Sequence, residues 1–581
     1  MKNHILHRAN AILLPAHKRK GVSIILLLAI SSLLDFISLA SFLPIIFIII
    51  SPQQSKWSMW FNRFADLYEN MNSSDLALIF TILVLVFILI KTQINVWITQ
   101  KKAVHAYSIS SDLASLALTH FLKSPYRKFA NLDYTREMNR ISNLPLMFAN
   151  NIIIPAGTLL SEALLLTMFF LCIAIYDYKV LLFLTLIITP IALIYRTKRK
   201  KMKIISEEVK MIYPKLLKYT LQAIEGLMEI KAFHKESFFK NRFNKTYRNL
   251  TTVFSADHTA NTGVVRTTEL IGALSVGALI IYALIQKKPY QETIILLSVY
   301  AGISMRAIPA VNRVFSALLQ MKSHEYILQE LQTMLAAQDD TFEDVPSPIR
   351  FCHQIELRNI HFKYERDSVI LKNASLTVRK GERVVVTGQS GTGKTSLFLI
   401  LLRFMNEDYG EFLVDGKKLL ETDSSGWRQL IGYVPQNPFI MDGTIAENIA
   451  FGISSEKIDM VKVMRLLHEL DLSEWVSSLS NGTSTVIGEK GGRISGGQRQ
   501  RLAIARALYH DAQILLLDEI TNQLDNETEI EVLHALDNFA EQNKTIILIT
   551  HRPELWKSFD AMYELREGKF YHITQKENQP N

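Results

Sequence analysis

The chain has 581 residues, which is more than one hydrophobic core usually supports, so at least two domains are expected. Its net charge of +9 could suit a nucleic-acid partner, but the Lys and Arg residues cluster beside long apolar runs, which is typical of membrane proteins. We therefore expect no nucleic-acid partner. The two cysteines, Cys172 and Cys352, lie far apart in the sequence, so no disulfide framework is predicted.

Six apolar stretches before about residue 320 are long enough, or nearly long enough, to cross a bilayer, which takes about 20 residues as a helix. They lie near residues 22–50, 76–98, 152–176, 179–196, 264–286 and 293–319. The sixth carries Arg306, Pro309 and Arg313, so hydropathy alone leaves this span open.

Basic residues gather at the N-terminus and in the loops after the second and fourth predicted spans, which predicts that both termini are cytoplasmic. These two loops are long and have helical patterning, so the membrane helices are expected to continue beyond the bilayer. In the first outside loop, large apolar side chains recur at helical spacing: Trp57, Trp60, Phe61, Phe64, Leu67 and Tyr68. This pattern fits an amphipathic helix on the outer membrane surface, or a loop helix packed on its own bundle.

Charged residues inside membrane spans are costly in lipid and usually face a cavity or a partner. Candidates within the predicted spans are the cations Lys91, Arg266, Arg306 and Arg313 and the carboxylates Asp35 and Glu269. Arg306 and Arg313 are seven positions apart and therefore share one helix face. Two interpretations stay open: a cationic lining for an anionic substrate group such as a phosphate, or ion pairing with the two carboxylates.

Beyond residue 350 the patterning is that of a globular α/β domain. A buried strand, Val384–Thr387, runs into a segment that fits the P-loop pattern G-x-x-x-x-G-K-[ST], and an apolar helix follows. A chance match in a loop would lack this strand–loop–helix context. The residues predicted to bind ATP here are Gly388, Gln389, Ser390, Gly391, Thr392, Gly393, Lys394, Thr395 and Ser396. In such a loop the backbone N–H groups surround the phosphates, Lys394 reaches the β- and γ-phosphates, and the Thr395 hydroxyl holds Mg²⁺.

A second apolar strand, Ile514–Leu517, ends in Asp518 and Glu519. This Walker B pattern predicts that Asp518 supports Mg²⁺ and that Glu519 orients or deprotonates the attacking water. The alternative, an acidic pair that caps a strand, is disfavoured by the P-loop upstream.

A third motif, Ser495, Gly496, Gly497 and Gln498, starts a basic amphipathic helix, which is a second place where an anion could bind. Because the chain has one P-loop, a second phosphate-binding motif indicates that another copy of the chain brings its own ATP to this motif. The sequence therefore predicts a dimer.

These three motifs, with the Ser495 motif lying between the P-loop and the Walker B strand, resemble the ATP-binding-cassette family. The resemblance implies that Tyr364 stacks on adenine, that Gln436 senses Mg²⁺ and water, and that His551 lies near the γ-phosphate. It also implies that Ser495, Gly496, Gly497 and Gln498 contact the partner's ATP, with Asp525 as the D-loop aspartate and Glu489 in an exporter-type coupling loop. The sequence departs from the family pattern at two places. Ile494 stands where Leu is usual in the signature motif. Asn522-Gln523 stands where Ser-Ala is usual in the D-loop, and this departure puts communication between the chains in doubt.

The membrane half resembles the exporter type, with six spans and long cytoplasmic extensions. The implied fold class is a polytopic α-helical membrane domain at 1–330, a linker at 331–350 and an α/β P-loop ATPase domain at 351–581. The implied cofactors are ATP and Mg²⁺, and the implied location is a bacterial inner membrane. The outer-loop helix and the arginines of the spans resemble lipid-linked oligosaccharide flippases, which favours an anionic lipid substrate and a homodimer. A drug, peptide or lipid A exporter, a heterodimer, and an ATP-gated channel or membrane regulator remain alternatives.

Overall fold

The computed structural model describes residues 5–42, 73–176, 178–285, 290–336, 348–364, 369–488, 494–520, 543–551 and 559–573, with isolated residues between 529 and 539. It divides into two compact units. The first comprises Met1–Ser124 and Asn131–Thr341, and the second comprises Pro125–Ala130 and Phe342–Asn581.

The first unit is helical in its described residues. Its helices are α1 Ile5–Ile12, α2 Pro15–Ala40, α3 Ser73–Lys123, α4 Tyr134–Met138, α5 Leu144–Phe148, α6 Ile154–Tyr176, α7 Tyr178–Glu225, α8 Leu227–Ala232, α9 Glu236–Ile285, α10 Tyr290–Ser323 and α11 Tyr326–Ala336. The π-helical turns Asn139–Asn143 and Ala149–Ile153 flank α5, so the chain stays helical from α4 to α6. Pro309 lies inside α10.

Three of these helices are much longer than a bilayer requires. Helix α3 has 51 residues, α7 has 48 and α9 has 50. At about 1.5 Å per residue each is roughly 70–77 Å long, against about 30 Å of hydrocarbon. The helices therefore continue well beyond the predicted spans, as their patterning indicated.

The apolar composition of the first unit agrees with a membrane location. Three described segments are long and apolar enough to cross a bilayer: Pro15–Ala40, Leu78–Lys123 and Tyr134–Cys172. The fourth, fifth and sixth predicted spans lie within α7, α9 and α10. The first predicted span runs past the end of α2 at Ala40, and its remainder, together with the aromatic segment 57–68, lies outside the described residues.

The second unit contains two sheets. An antiparallel sheet has the order β2-β1-β4-β5, and a second sheet has the order β10-β9-β3-β8-β7-β6. The strands are β1 Gln354–Lys363, β2 Val369–Arg379, β3 Arg383–Thr387, β4 Tyr409–Val414, β5 Lys417–Lys418, β6 Ile431–Val434, β7 Ile514–Asp518, β8 Thr545–Ile549, β9 Ala561–Arg566 and β10 Lys569–His572. Strands β9, β3, β8, β7 and β6 are parallel. Strands β7 and β8 are buried along their whole length, as the apolar runs of parallel strands require.

The helices of the second unit cover these sheets. They are α12 Lys394–Leu401, α13 Ser424–Arg428, α14 Ile445–Ile449, α15 Met460–Glu469, α16 Ser473–Ser478 and α17 Gly496–Tyr509. The short segment Pro125–Ala130 also belongs to this unit, and within it the Tyr126 ring stacks on Phe404 with the ring centroids 4.6 Å apart. Within the predicted linker, residues 331–336 are part of α11, and 337–347 lie outside the described residues.

Candidate functional site

The order and register of the parallel strands decide which side chains meet. Val386 of β3 and Asp518 of β7 both pair with Ile549 of β8, so these three strands end at the same level. In open α/β sheets, ligands bind outside the carboxyl ends of the strands. The P-loop, Glu519 and His551 each follow one of these ends directly and therefore lie at one edge of the sheet.

The P-loop turns tightly into α12, and Gly393 is the residue that makes this turn possible. Its φ of 106° lies in the left-handed region, and a Cβ atom there would stand 2.4 Å from Cγ2 of Ile370. Both facts require glycine. Lys394 folds back over the loop, and its Nζ donates hydrogen bonds to the carbonyl oxygens of Gly388 and Gln389, each at 2.9 Å. Gln389, Ser390 and Gly391 are exposed at the tip of the loop, while Thr392 is half-buried.

The Glu519 carboxylate is contacted by the side chains of Gln436 and His551, which belong to two other motifs. Nε2 of Gln436 donates a hydrogen bond to one Glu519 carboxylate oxygen at 2.7 Å, and Nε2 of His551 lies 3.0 Å from the other. The backbone of Glu519 has a φ of 49°, which is uncommon for a residue with a side chain and is a form of strain found at functional sites. The structure thus brings together the three residues that the sequence analysis predicted as catalytic.

Asp518 and Lys394 have electrostatic properties that suit a site for a cation and for phosphates. Burial, and secondarily the negative charge of Glu519, raises the pKa of Asp518 to about 6. Burial also lowers the pKa of Lys394, although Glu519 and Asp518 oppose this shift. A carboxylate that is costly to keep charged is stabilised by a bound cation, and Asp518 with the exposed Thr395 hydroxyl offers the oxygen donors that Mg²⁺ prefers.

The raised pKa of Asp518 predicts that binding of Mg²⁺-ATP depends on pH. Its carboxylate is charged above about pH 6 and protonated below, so affinity is expected to fall as the pH drops through about 6 rather than through 3.8. Mg²⁺-dependent ATP binding measured by calorimetry from pH 5 to pH 8 checks this. The phosphates of ATP titrate in the same range, so Asp518→Asn is the control. An identical pH profile in that variant would contradict the assignment.

Tyr364 and the Ser495 motif occupy defined positions in the second unit. The Tyr364 hydroxyl lies 3.2 Å from Oγ of Ser396, next to the P-loop. Ser495 is the N-cap of α17, where its Oγ accepts a hydrogen bond from the Gln498 backbone N–H at 3.2 Å, and the Gln498 side chain accepts one from the Ser495 N–H at 2.9 Å. This capping box fixes the start of the helix, with Gly496 and Gly497 in its first turn. Asp525 and Glu489 lie outside the described residues.

The first unit contains an ion network at the level of the predicted spans. Asp35 of α2 binds Lys91 of α3, with Nζ 3.0 Å from Oδ1, and also binds Arg306 of α10. Glu162 of α6 binds Arg313 through both carboxylate oxygens, at 2.6 and 3.2 Å. Arg306 lies 3.9 Å from Glu162 and so connects the two clusters. Among the described residues that form these ion pairs, three cations face two carboxylates, which leaves an excess of one positive charge.

The predicted cations of the spans differ in the carboxylates with which they form ion pairs. Arg306 pairs with Asp35, as the pairing alternative proposed, whereas Arg313 pairs with Glu162, a residue that the sequence analysis did not consider. The signal for Glu162 was present, since it is an acidic residue within the apolar third span. Arg266 instead binds Glu269 on its own helix at 3.2 Å, and its side chain is 79% exposed.

Comparisons with known proteins agree with this arrangement. Residues 371–522 match the family model described as ABC transporter. The chain is 39% identical over 218 residues to the ABC multidrug transporter atrD of Emericella nidulans, covering 37% of this chain and 16% of that protein. It is 31% identical over 361 residues to the ATP-dependent lipid A-core flippase of Saccharophagus degradans, covering 60% of this chain and 58% of that one. These alignments thus span less than two thirds of either relative.

A second ATP-dependent lipid A-core flippase, from Bordetella avium, is 29% identical over 427 residues, which is 71% of this chain and 70% of that protein. Among solved structures, a bacterial Atm1-family ABC exporter with ATP bound superposes with a TM-score of 0.78 at 19% identity, covering 96% of this chain and 94% of the other. This likeness shows the fold, a helical membrane domain joined to an ABC ATPase domain. Residues 371–522 are therefore similar to the ABC transporter family, and the chain as a whole shares the fold of the solved exporter.

Proposed function

We propose that two copies of this chain hydrolyse ATP and use its energy to move an anionic lipid across a bacterial inner membrane. The observation that carries the ATPase proposal is the convergence of Gln436 and His551 on Glu519, next to the P-loop lysine. A carboxylate held by two polar side chains at the carboxyl edge of a parallel sheet suits a general base for water.

Each residue of the site has a separate task in this proposal. Glu519 accepts a proton from the attacking water, and Gln436 and His551 hold its carboxylate in position. Lys394 neutralises charge on the β- and γ-phosphates. Thr395 and Asp518 hold Mg²⁺, which when bound neutralises charge on the phosphate oxygens. Tyr364, next to Ser396, provides an aromatic face for adenine.

Two features support a homodimer. The chain has one P-loop and one Ser495 motif, and the family resemblance implies that these bind opposite sides of one ATP from different chains. In addition, the turn around α8 exposes large apolar side chains: Ile224 (67%), Leu227 (55%), Met228 (81%), Phe233 (70%) and Phe238 (57%). An apolar patch of this kind usually marks an interaction site. We assign it to contact with the second copy.

If each ATP site is shared between chains, two inactive variants should restore activity when mixed. Lys394→Ala removes the phosphate cation, and Ser495→Ala removes the cap of the signature helix. Each variant alone should lose nearly all ATPase activity, whereas the mixed dimer contains one site with both intact halves. ATPase activity of the co-expressed mixture checks this. Full activity in a purified monomer would exclude ATP sites shared between chains. A mixture no more active than its parents would exclude a shared site that works while the other site of the dimer is inactive.

The ion network supports an anionic substrate. Among the described residues of this network, its three cations, Lys91, Arg306 and Arg313, exceed its carboxylates by one, and a surplus of positive charge within the membrane spans favours an anion close by. The two bacterial relatives named lipid A-core flippases are consistent with a lipid that carries phosphate. Within this class we favour a lipid-linked oligosaccharide, whose pyrophosphate would meet Arg313.

The test of this function uses the purified full-length protein in liposomes. ATP hydrolysis is measured with added lipid-linked oligosaccharide, with lipid A, and with a neutral lipid of the same chain length. Stimulation by an anionic lipid, together with ATP-dependent movement of that lipid, is expected. Lipid movement that continues with ATP bound but without hydrolysis would instead indicate a gated channel.

A further inference from the structure

The segment after Gln436 is held in place by one arginine of the signature helix. Arg506 of α17 donates a hydrogen bond from Nη1 to the Phe439 carbonyl oxygen at 2.9 Å, and one from Nε to the Asn448 carbonyl oxygen at 2.9 Å. Its Nη2 donates to Oδ1 of Asn448 at 3.2 Å. The guanidinium also stands over the Phe451 ring, 4.5 Å from its centroid. One side chain therefore holds both ends of the segment 439–451.

Asn448, which lies within this segment, makes further contacts that hold it; the contacts of Arg506 and Asn448 with the segment 439–451 are called the bracket below. It is fully buried, and its Nδ2 donates to the carbonyl oxygens of Met441 at 3.0 Å and Thr444 at 3.1 Å. Its Oδ1 accepts from the Met441 N–H at 2.9 Å as well as from Arg506. The amide thus uses both donors and both acceptor positions, which fixes the backbone from Met441 to Thr444.

The hydrogen-bond partners of Arg506 are two backbone carbonyls and a side-chain amide rather than a carboxylate. Among the residues that the structure describes, no carboxylate forms an ion pair with Arg506, and burial lowers the pKa of its guanidinium. Burying a charge without a counter-charge is costly. The advantage of arginine over lysine here is geometric. The planar guanidinium directs its N–H groups to two carbonyls and one amide at once, which a lysine ammonium on a flexible side chain does not do.

The bracket connects two parts of the proposed ATPase. Gln436, three residues before Phe439, is bonded to Glu519, while Ser495 begins the helix that carries Arg506. We propose that Arg506 is a positioning residue that couples the Gln436 segment to the signature helix, so that ATP in this chain's P-loop sets the position of the motif that meets the partner's ATP. This inference rests on the proposed ATPase function. Arg506 itself touches neither the P-loop nor Glu519 in the contacts described.

The test compares Arg506→Lys with Arg501→Lys in the full-length protein. Arg501 lies on the same helix and also holds backbone carbonyls, with Nη1 2.7 Å from the Asp471 carbonyl oxygen. In the contacts described, it makes no hydrogen bond to the segment 439–451. Loss of the bracket should lower kcat for ATP hydrolysis by about tenfold or more and remove cooperativity in ATP, while the Kd for ATP changes by less than about twofold. Arg501→Lys should leave kcat close to that of the wild type.

Normal kcat in Arg506→Lys, or an equal loss in both variants, would overturn the inference. If Arg506→Lys does not fold, Phe451→Leu removes the ring beneath the guanidinium together with its contact to the Phe439 ring, and an unchanged kcat there would count against the inference. An inactive wild type would instead refute the proposed function. In that case, hydrogen exchange at the amides 439–444 decides: protection induced by ATP in the wild type and lost in Arg506→Lys supports the bracket, and equal protection in both overturns it.

Discussion

Glu519→Gln is expected to lower ATP hydrolysis by roughly 10²–10⁴-fold, the usual contribution of a general base. The substitution is nearly isosteric, so the amide oxygen can still accept the hydrogen bond that Gln436 Nε2 makes at 2.7 Å. An amide, however, cannot take a proton from water at neutral pH. Chemistry should therefore fail while the geometry of the site persists.

ATP binding should survive in this variant, because the P-loop and Lys394 are untouched. A ligand that binds the folded state and is not turned over raises thermal stability, so the variant should show a larger ATP-dependent rise in Tm than the wild type. Phosphate release and thermal unfolding with and without ATP are the two measurements. His551→Ala is the matched control, since it removes one partner of Glu519 but leaves the carboxylate in place. Near-normal hydrolysis by Glu519→Gln would refute its role as the base.

The sequence predicts candidate residues for the nucleotide site, because the P-loop and Walker B motifs are local. Glycine spacing, an apolar strand and a following helix predict a P-loop without reference to the rest of the chain. What sequence alone did not predict is the contact between Gln436 and Glu519, which are 83 positions apart. That contact depends on the order β8-β7-β6 in the sheet, which places the ends of the two strands side by side.

The charged residues of the membrane unit were harder to interpret for the same reason. The pairs Arg306–Asp35 and Arg313–Glu162 join residues 271 and 151 positions apart, and helix patterning carries no information about which helices are neighbours. Likewise, nothing in the local sequence of Pro125–Ala130 indicated that this part of a predicted cytoplasmic loop would belong to the second unit. The contact found there, Tyr126 on Phe404, joins residues far apart in the sequence.

The cations of the ion network differ in whether their contacts hold helices together or leave them available to a substrate. Asp35 is 9% exposed and binds two cations and the Asn95 amide, so its partners serve to hold α2, α3 and α10 together. Arg313 is different: its side chain is 39% exposed, and its one carboxylate partner in the network, Glu162, could be exchanged for a phosphate group. Of the two arginines, Arg313 is therefore the one we expect an anionic lipid to contact.

Arg313→Ala should reduce transport of a pyrophosphate-linked lipid by about 10–100-fold, which corresponds to the roughly 1.5–3 kcal/mol of a charge-assisted hydrogen bond. Basal ATPase activity should remain, since the nucleotide site lies in the other unit. Asp35→Ala should instead lower yield and thermal stability, because it leaves Lys91 without its carboxylate and Arg306 with only Glu162 at 3.9 Å, a loss of about 3–5 kcal/mol for a buried pair.

Arg266→Ala is the control for this experiment, because Arg266 is also an arginine of a predicted span but is 79% exposed and bonded to Glu269 on its own helix. Transport in proteoliposomes and thermal unfolding are measured for all three variants. If Arg266→Ala loses as much transport as Arg313→Ala, the general positive charge of the spans matters rather than the network, which is the cationic-lining interpretation that the sequence left open. If Arg313→Ala transports normally, or loses stability as Asp35→Ala does, then its pairing with Glu162 is structural and the substrate meets other residues.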